Sequence, residues 1–301
     1  MAGAAKKWLL GCGIGCGALI LIPILLGVGS VFFMRSAVSE LEDAVVVREE
    51  LEERYGMVED YVPEGDGAIP ADRLRLFLTV RDSLAAVRTG LAETFVTLEQ
   101  GGDAFEHEAE GVWEKIKLGM RLGKTGLGMV PQLGDFFLTR DRVLVAVEMG
   151  VGEYTYIYCL AYYCWLGNPV DDSHESSHFE VRSSESGGGI ITINESSSER
   201  RSRQRQARRL SAQLRTMLQN QLAALPEVDE PGADAWREEL AAEVERLRRN
   251  PHGLPWAEGL PAAILASFEP FERDLSTSYS AATNPFELGR IHKDGWSFTA
   301  E

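Results

Sequence analysis

From Trp8 to Phe33 the chain carries no charged residue, and such a run exceeds the roughly 20 residues that cross the hydrocarbon core of a bilayer. Its only interruptions are glycines, Ser30 and Pro23. The run therefore reads as one membrane-spanning helix. Lys6 and Lys7 stand just before it, whereas beyond Arg35 the chain turns acidic at Glu40, Glu42 and Asp43. By the positive-inside rule the N-terminus then stays in the cytoplasm and the remainder is exported as an extracytoplasmic body at a cell membrane.

Two processing signals compete with an uncleaved anchor. Leu9-Leu10-Gly11-Cys12 resembles a lipoprotein lipobox, but almost no apolar residues separate it from Lys7. Val28-Gly29-Ser30 suits a signal peptidase, yet the apolar run continues past it through Phe33. Within the run, Gly11, Gly13, Gly15 and Gly17 give small-xxx-small spacings that let two helices approach closely, so Gly11 and Gly15 are candidate contacts of a homodimer.

The net charge of -16 opposes general nucleic-acid binding, since phosphate backbones repel an acidic surface. Four cysteines in 301 residues make no disulfide framework. Cys12 and Cys16 fall inside the apolar run, and Cys159 and Cys164 are five apart on an expected helix, where all four read as small apolar fillers.

After the anchor, Ala37, Leu41, Ala44, Leu51 and Tyr55 recur at alternating four and three spacings, broken by Arg48, with Glu42, Glu49, Glu50 and Glu53 opposite. This predicts an amphipathic stalk helix that pairs with a second copy or simply leads away from the membrane. Pro70 opens a second helix whose stripe is Phe77, Val80, Leu84, Val87, Leu91 and Leu98, ending at Gly101-Gly102. A third follows on Phe105, Ala109, Val112, Ile116 and Met120, and Gly123 to Gly134 reads as a loop. Gly119 to Thr125 resembles a phosphate-binding P-loop, but Leu118 stands where the first glycine belongs and no strand precedes it.

Leu138 to Gly167 is the most apolar stretch of the body. A continuous helix there aligns Glu148, Val151, Thr155, Tyr158, Tyr162 and Trp165, and the mid-helix carboxylates favour a buried soluble helix over a second membrane span. Glu148 and Glu153 are thus the candidate buried carboxylates, with tyrosine hydroxyls or Arg142 as donors. The sharper reading is a carboxylate of raised pKa in a tyrosine-lined pocket, suited to acid–base work or to a cationic ligand.

From Asn168 to Ser198 serine, glycine and acidic residues take over, and the alternation around Phe179 and Val181 with Ile190 to Ile193 predicts a β-hairpin. Two helices follow, one on Leu210, Leu214, Met217, Leu222 and Leu225 and one on Trp236, Leu240, Val244 and Leu247. The first is headed by Arg200, Arg201, Arg203, Arg205, Arg208 and Arg209, a run that pairs with acidic neighbours or is solvated. Prolines then break the chain into short pieces, of which Ala262 to Phe268 reads as helical.

His174-Glu175-Ser176-Ser177-His178 carries the HExxH pattern. On a helix this spacing sets two imidazoles on one face to hold zinc, with the glutamate beside the metal-bound water. In these residues the chain resembles the zincins, a zinc metallopeptidase family. The resemblance implies His174 and His178 as metal ligands and Glu175 as the catalytic base. The flanks here are acidic and serine-rich, which makes a solvated polar loop the plainer reading.

The expectation is a mostly α protein with a single N-terminal transmembrane helix, a helical bundle-like body and a small β-hairpin insertion. Its parts are the anchor at 1–34, a stalk helix and linker at 35–68, a helical core at 69–168, the hairpin at 169–198, C-terminal helices at 199–283 and a loosely ordered tail at 284–301. The expected function is an extracytoplasmic binding or scaffolding module. Its partners are the membrane, a second copy and an envelope protein or ligand, and it carries no cofactor. The alternative is a membrane-tethered zinc metallopeptidase.

Overall fold

A computed structural model describes residues 42–107, 131–170, 181–182, 190–191, 197–225, 233–281, 283–292 and 295–297. These are mostly helical. The anchor Trp8–Phe33 with Gly11 and Gly15, the P-loop-like stretch 119–125, and His174, Glu175 and His178 lie outside them. So does most of 169–198, where Val181–Arg182 (β1) pairs antiparallel with Ile190–Ile191 (β2).

Helix α1, 42–55, buries Ala44, Val45, Arg48 and Leu51. Of the expected stripe, Ala44 and Leu51 pack into the hydrophobic core, and Ala37 and Leu41 lie outside the described residues. A 3-10 turn, Val58–Asp60, follows α1.

Helix α2, Ala71–Ser83, starts after Pro70, whose fixed φ suits a helix start. A single turn at Leu84 separates it from α3, Ala85–His107. Helix α3 continues through Gly101-Gly102, which therefore do not end the second helix as expected.

Helix α4, described over Pro131–Ala146, includes the last residues of the expected loop, 131–134. The stretch Leu138–Gly167 is not one helix. It bends by 106° between α4 and the pair formed by α5, Val151–Tyr158, and a π-helical continuation, Cys159–Trp165. The bend sits at Glu148, which has a φ of 54°, and at Gly150, which caps α5. All eight residues of α5 are buried, the mark of a core helix enclosed by neighbours. Gly152 is required there, because a Cβ would lie 2.5 Å from the Val58 carbonyl oxygen and from Tyr61. Among the described residues no single helix is long and apolar enough to cross a membrane.

Helices α6, Ser197–Ala224, and α7, Ala233–Arg249, pack against each other, and α6 also covers the 3-10 turn. Asn220 Nδ2 donates to the Glu59 carbonyl at 2.9 Å, and Gln221 donates to that of Glu64. Helices α8, Ala262–Phe268, and α9, Glu272–Ser278, follow, with α9 lying over α2 and the π stretch.

The tail is the largest departure from expectation. Residues Asn284–Glu287 form a short helix, α10, with Thr283, Asn284 and Glu287 fully buried. Beyond it Arg290–His292 (β3) pairs antiparallel with Gly295–Ser297 (β4). The first part of the expected loose tail is therefore core, held by polar partners too distant in sequence to be read from local pattern.

Candidate functional site

The buried stripe of α2 and α3 runs Leu74, Phe77, Arg81, Leu84, Arg88, Leu91, so two arginines occupy positions whose register faces the core. Arg81 is fully buried. Across from it, α5 presents Tyr154 and Tyr158 one turn apart. The π stretch then changes the register, closing with Leu166 N–H on the Ala161 carbonyl at 3.0 Å, five residues back. That wider turn sets Tyr163 level with Tyr158, and both hydroxyls donate to Asn284 Oδ1, at 2.7 and 2.9 Å.

Arg81 is the centre of this cluster. Its Nη1 lies 2.5 Å from Glu287 Oε1 and donates to the Tyr154 hydroxyl at 3.1 Å, while Nη2 donates to the Ser278 carbonyl at 2.8 Å. The guanidinium carbon stands 5.2 and 5.4 Å from the ring centres of Tyr158 and Tyr162, within cation–π range. Tyr154 donates in turn to Glu287 Oε2 at 2.9 Å, and Thr283 donates to Oε1 at 3.0 Å. Tyr162 and Ser278 share a hydroxyl–hydroxyl bond of 2.7 Å. Arg88 donates to two carbonyls, those of Ser278 and Arg81.

A second ion group continues the cluster toward α1. Arg140 bonds Asp141 at 2.7 Å and donates to the carbonyls of Glu287 and Gly289 at 2.8 and 3.2 Å. Asp141 also lies 3.6 Å from Arg48, which pairs with Glu52 at 2.7 Å. Among the described residues, four buried arginines thus face two buried carboxylates of this cluster, Asp141 and Glu287, with Glu52 at its edge.

Burial works against the charge of Arg81, but Glu287 and the surrounding phenols hold its pKa well above the ordinary arginine value. Arg88 is pushed down by burial and by the neighbouring Arg81. Burial raises the pKa of Tyr154, Tyr158, Tyr162 and Tyr163, so their hydroxyls serve as neutral hydrogen-bond donors rather than as acids. The arrangement is chemically suited to gripping a carboxylate and an amide.

The carboxylates anticipated from sequence are elsewhere. Glu153 is buried and gripped by Arg73 through two bonds, 2.6 Å from Nε and 2.5 Å from Nη2, a fork that matches guanidinium to carboxylate. Its donor is thus Arg73 on α2, and Arg142 is exposed. Glu148 is not a buried carboxylate. It sits exposed at the α4–α5 bend, where its carbonyl accepts from Arg73 Nη2 at 3.0 Å. The bend removes the shared helix face that the alignment of Glu148 with Tyr158 assumed. Cys159 and Cys164 are free thiols; burial raises both pKa values, that of Cys164 to about 12, which keeps them unreactive fillers. Arg208 is exposed. Among the described residues no group of three or more His, Cys, Asp or Glu side chains is placed to hold a metal ion.

The members of this buried cluster that sequence reasoning passes over are Arg81, Arg88, Arg140, Asn284 and Glu287. A signal for the arginines exists in their core-facing register. No protein family, curated protein or solved structure matches the chain.

Proposed function

We propose that this chain is a membrane-anchored, extracytoplasmic helical module that binds or scaffolds a partner at a cell envelope. The observation that carries the reading is the uncharged run Trp8–Phe33, preceded by Lys6 and Lys7 and followed by acidic residues. An acidic, mostly helical body suits a protein or small-ligand partner and disfavours nucleic acid.

The test is alkaline carbonate extraction of membranes together with a compartment-sensitive reporter fused at the C-terminus. The expected result is a chain that stays in the membrane pellet with a reporter active only outside the cytoplasm. A chain released by carbonate, or a reporter active only in the cytosol, refutes the placement.

A second reading, a membrane-tethered zinc metallopeptidase, is favoured by the letter-for-letter HExxH of His174 to His178. Zinc content of the purified chain and its His174→Ala variant separates the two. Stoichiometric zinc lost in the variant supports the peptidase, and negligible zinc in both removes it.

A further inference from the structure

We draw no further inference here: the strongest candidate, the buried side-chain cluster in which Arg81 and Arg88 both donate to the Ser278 carbonyl, belongs to the site already described, and nothing in the structure shows what ligand or partner it would receive.

Discussion

Arg81 and Glu287 meet at 2.5 Å with neither side chain exposed, joining the second helix of the body to a short turn near the end of the chain. A pair this deeply buried has little water to screen it, and its worth depends on the bonds that complete it. Here Tyr154 bridges both members, accepting from the arginine and donating to the glutamate. The relationship makes the C-terminal segment a structural member of the body.

Removing one partner leaves a bare charge in the interior. Arg81→Met is therefore expected to destabilise the body by about 3–5 kcal/mol, and the Arg81→Met, Glu287→Met double variant to recover part of that loss. Chemical denaturation of the parent, both single variants and the double variant measures the cycle. A loss below about 1 kcal/mol for Arg81→Met would place the pair in the range of solvent-exposed ion pairs.

Tyr158 and Tyr163 share one acceptor, Asn284 Oδ1, so their contributions are coupled. Each Tyr→Phe change alone is expected to cost about 0.5–1.5 kcal/mol, because the remaining hydroxyl still satisfies the amide oxygen. The double change leaves that oxygen buried with neither phenol donor and costs more than the sum. Strict additivity in thermal melts of the three variants would show that the two hydroxyls do not compete for one atom.

Much of the helical body is legible from pattern, and the misses have identifiable physical causes. The stripe of Phe77, Val80, Leu84 and Leu91 and the start after Pro70 are readable because burial repeats with the helix period. Arg48 looks like a break in its stripe, yet it is buried with that stripe. Arg48, Arg81, Arg88 and Arg140 each stand between buried apolar residues three or four positions away on either side, a pattern that marks an arginine turned inward. What no local pattern reveals is the partner, since Tyr154 and Glu287 are 133 residues apart. The bend in Leu138–Gly167 has a cue in Gly150 and Gly152, but composition alone does not separate one long apolar helix from two crossing ones.

Glycines of the body divide by what surrounds them. Gly152→Ala forces a methyl to within 2.5 Å of the Val58 carbonyl oxygen, backbone that cannot yield cheaply, and is expected to cost about 1–3 kcal/mol. Gly90 lies within α3, and a methyl group added there would meet nothing within 4 Å, so Gly90→Ala is expected to stabilise by about 0.4–1 kcal/mol. Denaturation midpoints that move in opposite directions check both; equal shifts would mean that α5 does not approach the 3-10 turn so closely.

The cluster also sets the behaviour of the protein in alkali. Burial raises the pKa of Tyr154, Tyr156, Tyr158, Tyr162 and Tyr163 in the folded chain, whereas unfolding returns each phenol to an ordinary value of about 10. Cys164 behaves likewise, falling from about 12 to 9.0. The unfolded chain therefore releases protons first as the pH rises, and stability fully present below about pH 9 falls through the interval above it. Because the phenols are shielded until the body opens, tyrosinate absorbance from these five and loss of helical circular dichroism are expected to develop together in a single alkaline transition. Phe substitution at Tyr156, whose hydroxyl has no hydrogen-bond partner among the described residues, is expected to shift that transition to higher pH by removing one group that favours the open chain. Stepwise tyrosinate formation at full helicity would show that solvent reaches the cluster in the folded state.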